Sequence, residues 1–351
     1  MKVCFYSSRL QFSGDTLVKQ GLGGSESALV NISLCWKKQF PKDEIVVYNG
    51  PTIRNQEYEG VIYKSVQEFK TEITSSRWDA FISLRECDPF LNPFINAKIK
   101  CFWSQDDMNE RDLQRAKDQL YIRENIDLFF VISNYSLNNI SQAFPEKDIV
   151  LQRNGYRSDW INTSNNNRKP IAIYSSTPFR GLDVLTEVWK DIYDGCSKSG
   201  ITPLLKVCGG MSLYQQSEDP FRELYKNLKD LPGTEVIGSI PQRDLYSILH
   251  ECKVMLYSNH FLETCSMAVL EALANGVWCV TTDLGALGEQ VKEEVNGTLI
   301  EGDARSPEYQ NKFIEASIEA LESNYIPNSN GLIFSWNEQS RKMRQSILER
   351  I

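Results

Sequence analysis

Short apolar runs that close on polar residues recur along the whole chain, with helix-forming stretches between them. Val3-Cys-Phe-Tyr-Ser7, Ile45-Val-Val-Tyr48, Ala80-Phe-Ile-Ser-Leu84, Ile99-Lys-Cys-Phe-Trp103, Asp127 through Ser133 and Ile149-Val-Leu-Gln152 read as strands. A helix is predicted after Gly23-Gly24, ending near Phe40-Pro41, and another from Asn134 to near Phe144-Pro145. The polar run Asn162 through Lys169 is too hydrophilic to pack and reads as a linker. Beyond it the alternation restarts: strand Ile171–Tyr174, helix 182–194, strand Leu204–Cys208, helix about 219–229, strand Thr234–Gly238, helix 242–251 and a strand from Val254. The tail from Phe334 to Ile351 is an amphipathic helix with Trp336, Met343 and Ile347 on one stripe. Two strand–helix series joined by a polar linker predict two α/β halves, each doubly wound around a mostly parallel sheet.

The stretch from His260 to Gly276 concentrates the candidate chemistry. Strands flank it at Val254-Met-Leu-Tyr257 and Trp278-Cys-Val-Thr-Thr282, and Asn275-Gly276 stops the helix between them. Thr264 or Ser266 serves as its N-cap. In an open parallel sheet, ligands sit at the carboxyl ends of strands, where helix N-termini point free N–H groups outward. The amides of Cys265, Ser266 and Met267 are placed to meet a polyphosphate there, with Glu263 in the loop and Glu271 inside the helix. One acid then suits sugar hydroxyls and the other a ribose diol. The competing reading is a surface helix carrying two solvated glutamates.

Other strand ends add candidates. Gly23 and Gly24 open a helix after the first strand, where their backbone can approach a phosphate or sugar closely. Ser104-Gln-Asp-Asp107 is a polar cluster in which Asp106 or Asp107 faces a ligand or caps the next helix. Arg180, before Gly181, offers planar bidentate donors to phosphate, and a cation at a helix start opposes the dipole unless an anion is bound. Cys208-Gly-Gly210 reads as a tight turn, and His260 as a structural histidine.

Glu263-x7-Glu271, then Ala272-Leu-Ala-Asn-Gly276, a strand, and Gly285-Ala-Leu-Gly-Glu289 resemble retaining glycosyltransferases of family 4 in order and spacing. Gly23-Gly24-Ser25-Glu26 and Asn154-Gly155 fit the same pattern. The resemblance implies the GT-B fold, two Rossmann-like domains facing a deep interdomain cleft: residues 1–155 on the acceptor side, 156–334 on the donor side, and helix 335–351 packing back on the first. It implies transfer of a hexose-type sugar, with retention, from a UDP- or GDP-sugar to a hydroxyl of a glycan, lipid-linked or protein acceptor. Glu263, Arg180 and Asp106 would be the catalytic group, Ser239 and Ile240 would hold the base, and Glu271 the ribose. The sequence departs from the family in two places: Gln105 stands where a histidine is usual, and Ser175 where an arginine is usual.

Composition narrows the field. Of 351 residues, 41% are hydrophobic and 24% charged, which are globular values, and two domains is the natural expectation. The formal net charge of −8 argues against nucleic-acid partners and a strongly basic membrane face, though peripheral membrane contact stays open. Nine scattered cysteines without Cys-x-x-Cys, and two histidines, point to a reducing, cytoplasmic setting with no disulfide framework and no metal site. Met1-Lys-Val-Cys-Phe begins a strand at once, so no signal peptide is expected, and no apolar run approaches the roughly twenty residues of a membrane span. With no metal signature, the expectation is that the leaving diphosphate is neutralised by protein and no cofactor is needed. Two rivals remain: a nucleotide-sugar epimerase of the same architecture, which would need further acid–base groups, and a non-catalytic nucleotide-sugar-binding protein, suggested by Gln105 and Ser175.

Overall fold

The computed structural model of the chain describes residues 1–50, 55–162 and 168–351. Two units emerge: Met1–Thr16, Gly23–Arg157 and Phe334–Ile351 in unit 1, Leu17–Leu22 and Ser158–Ile333 in unit 2. Each carries its own sheet. Unit 1 holds β1 (Lys2–Ser7), β2 (Glu44–Asn49), β3 (Gln56–Tyr58), β4 (Val61–Lys64), β5 (Trp78–Leu84), β6 (Ala97–Trp103), β7 (Leu128–Val131) and β8 (Asp148–Leu151). Their order is β3-β4-β2-β1-β5-β6-β7-β8, parallel except for the β3–β4 hairpin. Unit 2 holds β9 (Ile171–Tyr174), β10 (Leu204–Cys208), β11 (Thr234–Gly238), β12 (Val254–Tyr257), β13 (Trp278–Thr282) and β14 (Gly297–Ile300), all parallel, in the order β11-β10-β9-β12-β13-β14. Strands buried on both faces read as near-continuous apolar runs, and β7, β9 and β12 are buried at every position. Strand order reverses between β1 and β5 in unit 1 and between β9 and β12 in unit 2, and these switch points are where such sheets take ligands.

The helices follow from their apolar spacing. Leu182–Lys198 buries Leu185, Val188, Trp189, Ile192 and Cys196, one helical stripe against the unit 2 sheet. Helix Gly24–Gln39 buries every residue from Glu26 to Trp36 and ends where Phe40-Pro41 cannot continue it. Helix Trp336–Leu348 lies on it: the Gln39 amide donates to Asn337 O (3.0 Å) and Ser340 Oγ (2.7 Å). Asp43 ties the two together, accepting from Trp36 Nε1 at 2.9 Å and Arg344 Nε at 2.7 Å. A capping box starts the last helix, with Ser335 Oγ accepting from Glu338 N and Glu338 Oε2 accepting from Ser335 N.

Several elements differ from the sequence reading. Helix 182–194 continues to Lys198, and the 219–229 helix splits into a 3₁₀ turn, Asp219–Phe221, and a helix, Arg222–Lys229, because Pro220 removes an N–H at its start. The β3–β4 hairpin, helix Val66–Ser75, β14 and helix Pro307–Glu322 were not anticipated; the last carries a readable start, Ser306 as N-cap and Pro307 at the first position. Neither Asp106 nor Asp107 caps the following helix, Arg111–Asp118, which begins after Glu110. Residues 163–167 of the expected linker lie outside the described residues. At its far end Arg168 caps two helices, donating through Nη1 to Leu249 O (3.1 Å) and Cys252 O (2.5 Å), and through Nη2 to Asn275 O. A cation on carbonyls that a helix end leaves unpaired is favourable, and the two helices so fixed, Gln242–Glu251 and Met267–Ala274, both carry site residues.

Replacing Ser335 by Ala removes one half of the capping box and should lower stability by about 1 kcal/mol. Trp336→Ala, which empties a fully buried position, should cost about 3–5 kcal/mol. Urea unfolding midpoints of the two variants, followed by near-ultraviolet circular dichroism, check both values and their order.

Candidate functional site

The loops that follow β9 and β12 meet at the unit 2 switch point. Gly181 makes this approach feasible: its φ is +108°, and a Cβ there would overlap Ser258 O, while Ser258 Oγ donates to Gly181 O at 2.7 Å. Pro178–Arg180 forms a 3₁₀ turn just before it. Arg180 thereby reaches across to Glu263, with Nη1 2.9 Å from Oε1. Glu263 is 3% exposed. The phenol of Tyr257, the last residue of β12, donates to the same Oε1 at 2.5 Å. The guanidinium also lies 4.6 Å from the Phe261 ring centroid and 5.5 Å from that of Phe179. Burial alone would lower the Arg180 pKa, but the Glu263 carboxylate outweighs it and holds the cation charged. On the other side Gly285, at φ +65°, lets the next loop close on Glu263: Ala286 N donates to Glu263 O at 2.7 Å, and a Cβ on Gly285 would overlap that oxygen.

Arg180 Nε is itself buried with no partner among the described residues, as are Ser175 Oγ, Thr177 Oγ1 and Ser239 Oγ elsewhere in the strand-end loops of unit 2. Burying such a group unpaired costs about 1–3 kcal/mol, so the open edge of Arg180 asks for a polar partner. Ser239 and Ile240 follow β11, and Gly21 packs so tightly on them that a Cβ would lie 2.8 Å from Ser239 Oγ and 3.1 Å from Ile240 O. Gly21 is thus a further position in this segment where only glycine fits. Gly23 caps helix Gly24–Gln39 at φ −58°, a conformation open to any residue.

Helix Met267–Ala274 has Ser266 as N-cap, its Oγ accepting from Val269 N. Of the three amides expected to face a polyphosphate, that of Ser266 is already taken: it donates to Gln290 Oε1 at 2.9 Å, and Gln290 Nε2 returns a bond to Ser266 O at 3.0 Å. Glu271 is 4% exposed and accepts from the Gln242 side-chain amide, and burial pushes its carboxyl up to about 7. Neither glutamate is a solvated surface group. His260 is engaged by Asp183 (3.1 Å) and Arg305 (3.1 Å), in line with a structural role.

Asp106 belongs to unit 1 and is paired with Arg85, whose Nε lies 2.5 Å from Oδ2. Arg85 follows β5 with φ +61°, a strained conformation that places its side chain on the loop after β6. Glu26, from the Gly-Gly opening, is 1% exposed, and its Oε2 has no partner among the described residues; burial pushes its carboxyl up, and Arg85 pulls the other way. Gln105 does not present a free amide: it exchanges two hydrogen bonds with Asn154, at 3.1 and 2.9 Å. The sequence reading missed Tyr257, Gln242, Gln290 and Arg85. For Arg85 the signal was available, a charged pair, Arg85-Glu86, directly after an apolar strand; the others are ordinary residue types that acquire a role only through what they touch. Among the described residues no cluster of His, Cys, Asp or Glu could hold a metal ion, no helix is long and apolar enough to cross a membrane, and all nine cysteines are free.

With this geometry in place, the comparisons are informative. Residues 158–330, just under half of the chain, match the family model of glycosyl transferases group 1. A curated relative, an uncharacterized glycosyltransferase of Methanocaldococcus jannaschii, is 24% identical over 181 residues, 52% of this chain. The chain spans 47% of that relative's length. Among solved structures, sucrose-phosphate synthase from Thermosynechococcus elongatus superposes with a TM-score of 0.72 at 13% identity, covering 99% of this chain and 98% of its own. Anabaena HepE in complex with UDP and glucose gives 0.65 at 14% identity, covering 99% and 100%. At such identities the likeness carries the fold: two mostly parallel Rossmann-like α/β units, the GT-B architecture.

The raised Glu271 carboxyl sets a pH test. Its folded pKa of about 7 lies above the ordinary 4.5, so burial favours the protonated form, and stability present below about 4.5 is lost as pH rises through 7. Glu271→Gln should therefore melt higher than the wild type at pH 8, with the difference fading toward pH 4.5. Melting temperatures across that range read it directly.

Proposed function

We propose that the chain is a retaining, metal-independent glycosyltransferase that moves a hexose-type sugar from a UDP- or GDP-sugar to a hydroxyl of a glycan, lipid-linked or protein acceptor. The observation that carries this reading is the buried Arg180–Glu263 pair at the unit 2 switch point, with Arg180 Nε left without a partner among the described residues. A nucleotide sugar matches both halves of it: a diphosphate for the cation, a sugar diol for the carboxylate. Arg180, the Cys265 and Met267 amides and the helix N-terminus behind them would neutralise the leaving diphosphate. Glu263 would hold sugar hydroxyls, Glu271 the ribose diol, and the Ser239–Ile240 loop the base. Asp106, fixed by Arg85, is the acceptor-side candidate. Acceptor attack on the anomeric carbon from the face the diphosphate leaves, with a phosphate oxygen taking the hydroxyl proton, needs no protein nucleophile and conserves configuration. Anabaena HepE, caught with UDP, makes uridine donors the first to try. The free cysteines support a reducing, cytoplasmic setting.

A non-catalytic nucleotide-sugar-binding protein is the second reading, favoured by the closed Gln105–Asn154 amide pair and by the absence of a second cation at Ser175. Slow hydrolysis of bound donor separates it from a transferase. An epimerase draws no support from His260, which is held by Asp183 and Arg305.

Calorimetric titration of UDP and GDP into wild type and Arg180→Ala, with and without EDTA, tests the donor site. One of the two nucleotides should bind, Arg180→Ala should weaken it by about ten- to a hundredfold, the loss of one charge-assisted contact, and chelation should change affinity by less than about tenfold. No binding of either nucleotide, or equal binding by the mutant, would overturn the assignment; a larger effect of EDTA would overturn metal independence.

A further inference from the structure

The donors on Glu263 are unevenly placed. Arg180 Nη1 and the Tyr257 phenol both land on Oε1, at 2.9 and 2.5 Å. Arg180 keeps a second edge free, since its Nε is buried without a partner among the described residues. So the cation has one engaged edge and one open edge, while two donors share a single oxygen of the carboxylate. Tyr257 is fully buried as the last residue of β12, its ring 5.9 Å from that of Tyr174 and its carbonyl held by Thr281 Oγ1 at 2.9 Å. Its only hydroxyl proton goes to Glu263. The contact of 3.5 Å between Ser176 Oγ and the phenol oxygen is therefore one in which Ser176 donates. A relay results, from Ser176 on the loop after β9, through Tyr257 at the end of β12, to Glu263. Burial, and then the adjacent carboxylate, raise the phenol pKa well above its usual value, so it stays a donor throughout the working range.

An anion arriving at Arg180 changes the balance at Oε1. The guanidinium is then shared between Glu263 and the anion, and its bond to the carboxylate weakens. A carboxylate that is 3% exposed cannot replace that bond with water, and leaving it poorly paired is costly. The phenol supplies a neutral donor that does not compete for the anion and does not move when it arrives. The geometry points to Tyr257 as a positioning residue of the donor site, one that holds Glu263 on its own so that Arg180 is released to bind a nucleoside diphosphate. This rests on the donor reading of Arg180 and Glu263 and adds to it a coupling between three residues. Without the phenol, the Glu263 carboxylate leans on the Arg180 guanidinium alone of the two donors, and diphosphate binding must pull that cation away from a desolvated carboxylate. With a neutral amide in place of the Glu263 carboxylate, no cation is needed there and the phenol becomes dispensable.

A double-mutant cycle reads this coupling. UDP or GDP, whichever binds the wild type more tightly, is titrated by calorimetry into wild type, Tyr257→Phe, Glu263→Gln and the double variant. Tyr257→Phe should weaken diphosphate binding about tenfold, Glu263→Gln should bind at least as tightly as wild type, and in the Glu263→Gln background the Tyr257 substitution should change affinity less than about twofold. A general structural loss would instead weaken both backgrounds equally, and that result, like unchanged binding by Tyr257→Phe, overturns the inference while leaving the donor site standing. Failure of the wild type to bind either nucleotide removes the donor reading first and the inference with it. Should Tyr257→Phe not fold, Ser176→Ala, which removes the hydroxyl behind the phenol, carries the same cycle with an expected loss of about threefold, and an equal loss on both backgrounds again overturns it.

Discussion

A cation and a carboxylate buried together constrain everything around them. Two charges withdrawn from water are tolerable only in good geometry with the remaining valences satisfied, and removing one partner of such a pair typically costs about 3–5 kcal/mol. At the unit 2 switch point that demand is met by Arg180, Glu263 and Tyr257, brought within hydrogen-bond reach from three different backbone positions. The backbone bends to allow it. Gly181 and Gly285 sit in left-handed conformations with neighbouring carbonyls where a side chain would begin, so the loops after β9, β12 and β13 can close on one carboxylate.

The supporting elements are tied down by polar contacts that look minor one at a time. Arg168 seals the carboxyl ends of the two helices whose other residues include Gln242 and Glu271. Gln290 holds both the N–H and the carbonyl of Ser266, the residue that starts helix Met267–Ala274. A site built on strand ends is only as well placed as the helices that follow them, and here each of these helix termini has a dedicated partner. Unit 1 uses a related device at a different place. Arg85 leaves β5 in a left-handed conformation to reach Asp106 beyond β6, while Glu26 is buried in the field of the same guanidinium. In both units an arginine from one strand-end loop meets a carboxylate from another.

What the chain alone determined is the period of its architecture. Apolar runs with polar ends at 3–7, 171–174, 204–208, 254–257 and 278–282 specify strands buried on both faces, because only a parallel sheet covered by helices accommodates such runs. Glu263 and Glu271 stood out through the resemblance of their spacing and surroundings to family 4 glycosyltransferases, and Arg180 because a cation at a helix start opposes the dipole unless an anion is bound. Tertiary structure decided the rest. The pairing of Arg180 with Glu263 spans 83 residues of sequence, and no local pattern encodes a contact between two loops that meet only when β9 and β12 lie side by side. Tyr257 and Gln290 carried no signal, since a tyrosine ending a strand and a glutamine closing a short helix are ordinary until a buried partner lies in reach. The closing of Gln105 on Asn154 and the loss of the Ser266 amide to Gln290 were illegible for the same reason. Sequence periodicity encodes which face of an element is buried; which polar atoms are left without water, and which neighbour then satisfies them, is settled only when the faces pack.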